Sequence, residues 1–181
     1  MGKIIAFANQ KGGVGKTTTA INVAASLAVS EFKTLLVDLD PQSNATTGLS
    51  EMFAPNGTTI YDVLIREKPM SKGIRKTVLE YLDLVPSTHD LVGAEIELVG
   101  MMAREYRLRD CIKRQVKKYD YVLLDCPPSL GLLTLNALSS SDSVLIPIQC
   151  EYFALEGLLS LIHISEPTRR YAISYAVFCL K

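Results

Sequence analysis

Hydrophobic and polar positions fall into blocks along this chain. Five short runs are nearly continuous in apolar residues: Lys3–Ala8 (KIIAFA), Thr34–Leu39 (TLLVDL), Tyr81–Val85 (YLDLV), Tyr121–Asp125 (YVLLD) and Ser143–Ile148 (SVLIPI). Runs of this length and composition predict strands buried on both faces. Longer stretches lie between them. Thr17–Ser30 (TTTAINVAASLAVS) is Ala-rich and predicts a helix, as does the segment from about Leu130 to Ser139. Met101–Lys118 places Leu108, Cys111, Ile112 and Val116 at helical spacing, with Arg104, Arg107, Arg114, Lys117 and Lys118 on the other face. Glu105 and Asp110 interrupt that basic face, which reads as a solvated side of an amphipathic helix. Pro41–Lys76 is less regular and predicts a loop followed by one or two short helices, the first near Thr59–Arg66. Strand–helix–strand repetition implies an α/β fold, with a mainly parallel sheet covered on both faces. No internal repeat or low-complexity linker is visible.

Composition narrows the class. The chain has 181 residues, with 19 Lys+Arg against 19 Asp+Glu, so a globally basic nucleic-acid binder is excluded and only local patches remain. An apolar content of 48% and a charged content of 21% fit one soluble globular domain. No early stretch approaches the roughly 20 apolar residues of a membrane span, and the first residues lack a signal-peptide pattern. Cys111, Cys126, Cys150 and Cys179 are scattered without a CxxC pair, as expected of reduced thiols in a cytosolic protein.

The chemistry concentrates at Gly12–Thr18 (GGVGKTT), directly after the first strand. The pattern G-x-x-x-x-G-K-[ST] is met only in part, because Gln10 stands where its first glycine is expected and Lys11 precedes the glycines. The physics of a phosphate cradle is nonetheless present. Gly12, Gly13 and Gly15 let backbone amides close around phosphate oxygens, and the following helix turns its positive end toward them. Lys16 is placed to contact the β- and γ-phosphates, and the Thr17 hydroxyl to ligate Mg²⁺. Asp40 and Asp125 both stand at strand C-terminal ends, where open parallel sheets bind ligands. Asp125 after YVLL reads as the carboxylate that reaches Mg²⁺, directly or through water. Asp38 lies deeper on the same strand as Asp40 and is the weaker catalytic candidate, its alternative being structural, a buried carboxylate accepting amides of the glycine loop. Cys126 reads as a small buried residue.

KGGVGKTTT resembles the deviant Walker A motif of the ParA/Soj/MinD family of ATPases. VDLDPQSNATTGL (37–49) resembles its Walker A′ and switch I segment, with Ser43 where Gly is usual. YVLLDCPPSLGLLTLNAL (121–138) resembles Walker B and switch II, and PIQCEYFALEGL (147–158) matches the partitioning branch. The likeness spans about residues 1–158 and is nearest to Soj-type ParA proteins. It implies a three-layer P-loop NTPase fold whose C-terminal strands are missing here, and a partitioning ATPase with ATP and Mg²⁺ as cofactors. It implies a nucleotide contact set of Lys11, Gly12, Gly13, Val14, Gly15, Lys16, Thr17 and Thr18. Thr17, Asp40 and Asp125 would attend the metal, and Lys11, Lys16 and Asp40 would be catalytic. In the family Asp40 handles the attacking water, and Lys11, the signature lysine, reaches the partner's nucleotide. The same resemblance implies a homodimer on ATP binding, non-specific DNA, a ParB-like stimulating partner, no membrane association and a cytoplasmic, nucleoid-associated location. Two alternatives stay open: a MinD-like, membrane-associated branch, and a non-catalytic nucleotide-dependent binding module. A nitrogenase-reductase-like branch is disfavoured by the scattered cysteines.

From Leu159 the likeness stops. LSLIHISEPTR resembles the translation of a sequencing-library adapter and ISYAVFCLK that of the sequence following its index. Residues 159–181 are therefore expected to be a non-native tail, leaving a sheet edge uncovered and the tail's uncharged apolar run exposed to aggregation.

Overall fold

The computed structural model describes residues 2–49, 57–149 and 174–180. Most of the matching segment PIQCEYFALEGL, Cys150 included, lies outside the described residues. Seven strands form one sheet: β1 (Lys3–Phe7), β2 (Thr34–Asp38), β3 (Arg75–Lys76), β4 (Leu82–Val85), β5 (Tyr121–Asp125), β6 (Ser143–Gln149) and β7 (Ser174–Leu180). Their spatial order is β3-β4-β2-β5-β1-β6-β7, and every pair is parallel except β3 with β4. The helices are α1 (Lys16–Val29), α2 (Asn44–Leu49), α3 (Ile60–Leu64), α4 (Leu91–Glu97), α5 (Arg107–Ile112) and α6 (Leu132–Ser140). No helix among the described residues is long and apolar enough to cross a membrane.

Alternation along the buried strands divides the core in two. Ile4, Ala6, Leu35, Val37, Val122 and Leu124 pack on the face covered by α3–α6. Phe7, Leu36, Leu84, Leu123 and Leu145 pack on the face covered by α1. The buried stripe of α1 is Lys16, Ala20, Ala24 and Ala28. Three alanines at four-residue spacing let the helix lie close on the sheet. The same periodicity turns Lys16, first in the stripe, inward at the sheet's C-terminal edge.

Two expectations are corrected. Met101–Lys118 is not one helix: α5 covers only Arg107–Ile112, and a separate 3₁₀ turn spans Val116–Lys118. Ala103 has φ 51°, outside the helical region. The Leu108 amide at the start of α5 donates to Asn136 Oδ1 at 3.0 Å, a tertiary cap that periodicity does not reveal. The edge of β6 is not left open either. β7 pairs along it in parallel from Ser143↔Ser174 to Gln149↔Leu180. The uncharged run that made the tail an aggregation hazard has the composition of a strand, and here it pairs in the sheet.

Candidate nucleotide-binding site

The C-terminal ends of β1, β2 and β5 meet at one edge of the sheet, and the glycine loop leaves β1 there. Gly13 and Gly15 have φ 73° and 80°, conformations a side chain disfavours. Gly15 caps α1 without any side-chain hydrogen bond. The first amides of α1 are thus left to a ligand. A Cβ built on Gly12 or Gly13 would meet no atom within 4 Å, so the space over the loop is open. Lys11, Gly12, Gly13 and Thr18 are exposed, Thr17 is half-buried, and Val14 is buried as the loop's apolar anchor. Lys16 Nζ donates to the Lys11 carbonyl at 3.2 Å, so the two lysines of the motif are linked through the loop backbone.

Register explains the carboxylates. Asp38 pairs directly with Asp125 across β2 and β5. Both follow core residues of the α1 face, Leu36 and Leu123, by two positions and so point to that face. Asp38 and Asp125 have no exposed surface, and Asp40 is 5% exposed. Burial raises the Asp125 pKa to about 7, with the charges of Asp38 and Asp40 adding to the rise. Among the described residues neither Asp125 oxygen has a hydrogen-bond partner in good geometry, although the Thr17 hydroxyl is near enough to favour the charged form. Burial also raises Asp38 to about 6, against the opposing effect of its hydrogen bonds. Lys16 is pushed below the usual lysine range by burial, with Asp125 and Asp40 working the other way. Burial drives the Cys126 thiol far up, and it sits buried and neutral, as expected of a packing residue.

The structure therefore brings Lys16, Thr17, Asp40 and Asp125 to one place, beneath the glycine loop. Asp38 is held by hydrogen bonds, but from Asp40 and Thr46 and not from the glycine loop that its structural alternative called for. Its Oδ1 accepts the Asp40 amide at 3.0 Å, and its Oδ2 accepts the Thr46 amide at 2.8 Å and hydroxyl at 2.6 Å. Asp40 Oδ1 accepts a local amide, from Gln42 at 2.9 Å.

Three contributors escaped the sequence reading. Asn9 Nδ2 donates to the Pro147 carbonyl at 2.8 Å while its Oδ1 accepts the Lys11 amide at 3.0 Å, tying the start of the loop to β6. A polar residue between an apolar strand and a glycine run was the available signal. Thr46 Oγ1 also accepts the Ser87 amide at 2.9 Å, linking α2 to the end of β4. Glu95 of α4 caps α6, and nothing local in the sequence marks it.

The residues fit a magnesium nucleotide. Two buried carboxylate oxygens without hydrogen-bond partners call for a cation. The uncapped helix and the open loop above them call for an anion. Among the described residues no three His, Cys, Asp or Glu side chains converge as a ready metal cage. Mg²⁺ usually keeps several waters and shares its coordination with phosphate, so one or two carboxylates are enough to hold it.

The chain matches a family model described as an AAA domain over residues 2–173. It is 58% identical over 163 residues to the chromosome partitioning protein ParA of Myxococcus xanthus, covering 90% of this chain and 58% of that protein. It is 54% identical over 163 residues to the sporulation initiation inhibitor protein Soj of Bacillus subtilis, covering 90% and 64%. The chain spans about three-fifths of the length of these curated relatives. Cobyrinic acid a,c-diamide synthase from Mycobacterium smegmatis, solved with ADP and magnesium, superposes with a TM-score of 0.90 at 34% identity, covering 99% of this chain and 74% of that one. A putative plasmid partition protein from Borrelia burgdorferi bound to AMPPNP superposes with a TM-score of 0.86 at 31% identity, covering 98% and 73%. The glycine loop, the two strand-end carboxylates and these likenesses agree, and the chain belongs to the AAA-domain family, in its ParA/Soj type.

Proposed function

We propose that this chain is the nucleotide-binding part of a partitioning ATPase that binds Mg·ATP, dimerises around it, holds DNA non-specifically as the dimer, and hydrolyses ATP when a ParB-like partner stimulates it. The observation that carries the nucleotide role is Asp125, a buried carboxylate without a hydrogen-bond partner, near the Thr17 hydroxyl and Lys16 under an uncapped helix. The partitioning role rests on the likeness to ParA of Myxococcus xanthus and Soj of Bacillus subtilis.

When bound, Mg·ATP supplies the phosphoanhydride to be cleaved and a cation that neutralises phosphate charge. The chain's own groups do the rest. The amides of Gly12–Thr18 and the Lys16 ammonium hold phosphate oxygens, and Thr17 and Asp125 orient the metal's ligand shell, with Asp40 in reach. Asp40, half-tethered through Oδ1, holds the attacking water. Lys11, exposed at the loop, is the group offered to a second copy's nucleotide. Such positioning and charge stabilisation are the main contributions a protein makes to phosphoryl transfer. The protein works in the cytoplasm, on the nucleoid.

Phosphate release tests this reading. Asp40→Ala is expected to bind nucleotide like the wild type and to lose turnover. Equal turnover in the two would contradict the role given to Asp40. Within the same proposal, residues 1–158 are the ATPase unit and 159–181 are foreign sequence of adapter origin. Sequencing the native locus decides that point, and the same tail encoded there in frame would refute it.

A further inference from the structure

We infer that Glu95 is a positioning residue for nucleotide, which clamps the loop between Asp125 and α6 from outside. The inference rests on the nucleotide reading above and adds a residue that neither motif nor register points to.

The loop 126–131 (CPPSLG) leaves β5 directly after Asp125. Its first end is fixed to the glycine-loop strand, since the Cys126 amide donates to the Phe7 carbonyl at 3.1 Å. Cys126 also lies close to Lys16. The middle is stiffened by Pro127 and Pro128, which have no amide to donate, and by Thr134 Oγ1 donating to the Ser129 carbonyl at 2.6 Å. The far end is the start of α6, where Gly131 provides no side-chain cap. That cap comes from α4: Glu95 Oε2 accepts the Leu132 amide at 2.9 Å, and Oε1 the Leu133 amide at 3.3 Å. A carboxylate on two first-turn amides combines charged hydrogen bonds with the helix dipole.

Gly131 is fitted to this clamp. A Cβ there would fall within clashing distance of both Glu95 carboxylate oxygens. The loop is thus anchored at both ends, by Phe7 on the nucleotide side and by Glu95 on the outer side. Releasing the outer anchor lets the Pro-Pro segment pivot about Cys126 and Asp125. The glycine loop, gripped separately through Asn9 and α1, stays in place. Glu95 therefore matters to the part of the ligand that faces Asp125 and its loop, and little to the part held by the glycine amides.

The test compares Mg·ADP with Mg·AMPPNP binding by calorimetry in the wild type, Glu95→Ala, Glu95→Gln and Gly131→Ala, with amide hydrogen exchange at Leu132 and Leu133. Glu95→Ala and Gly131→Ala are expected to speed exchange at both amides at least tenfold. They should weaken AMPPNP about tenfold while ADP stays within about twofold, the scale of losing charged hydrogen bonds. Glu95→Gln, which keeps one acceptor, should restore part of the difference. Equal losses for ADP and AMPPNP, or no loss for either, would overturn the inference while leaving the nucleotide site standing. A wild type that binds neither nucleotide would instead remove the proposed function and this inference with it.

Discussion

Asp125→Asn should stabilise the nucleotide-free protein and abolish its use of magnesium. In the folded chain the Asp125 carboxyl holds its proton up to about pH 7, against 3.8 for the free group, because it is buried beside Asp38 and Asp40. Between about pH 4 and 7 the folded state therefore carries more protons than the unfolded one. Stability falls as pH rises through that window, and the loss is complete above it. A shift of about three units corresponds to a ceiling of about 4 kcal/mol. The Asn amide finds no ready partner at this site and returns about 1–3 kcal/mol of that gain. The variant is then expected to be about 1–3 kcal/mol more stable than the wild type at pH 8 and no more stable than it at pH 4.5. Urea denaturation at several pH values, without nucleotide, measures the gap directly. Adding Mg·ATP should reverse the order, because ligand binding stabilises only the protein that holds it. A gap that is flat with pH, or an Asn variant less stable at pH 8, would refute the reasoning about this carboxylate.

Thr46→Val removes the hydroxyl that donates to Asp38 and accepts from Ser87; it should cost about 1–3 kcal/mol in urea unfolding and speed amide exchange across Asn44–Leu49. Because Asp38 then loses a hydrogen bond to its charged form, its pKa should rise further above 6, and carboxyl NMR titration would show this. Gly15→Ala forces a side chain into φ 80° at the first cap of α1; about 1–2 kcal/mol of stability should be lost, together with nucleotide affinity measured by calorimetry. Asn9→Ala frees the loop's start from β6 and should weaken ADP and ATP alike by a similar factor, in contrast to Glu95→Ala.

The parts of this site that belong to single segments were legible in the sequence. β5 occupies the predicted Tyr121–Asp125, and α1 begins one residue before its expected start, because each is set by local composition and glycine chemistry. Asp125 could be assigned from its place after four apolar residues. Its pairing with Asp38, which adds to the rise that burial sets, is a fact of register between β2 and β5. The helix expected over Met101–Lys118 failed for a related reason. Its apolar spacing is real, and Leu108, Ile112 and Val116 are all buried, but the helix begins where Asn136 caps it and not where the pattern begins. α4 went unread because Leu91–Glu97 is short, and its outward Val92 and Ile96 blur the amphipathic pattern. Glu95 could not have been found without seeing α4 and α6 side by side.

On the proposed reading the glycine loop, Lys16 and Asp125 together hold a magnesium nucleotide. Isothermal titration of ATP into the wild type and Lys16→Ala, each with Mg²⁺ and with EDTA, tests it most directly. Saturable binding by the wild type is expected, at least tenfold weaker without Mg²⁺, and no measurable binding by Lys16→Ala. Wild-type binding indifferent to Mg²⁺, or undiminished in Lys16→Ala, would contradict it.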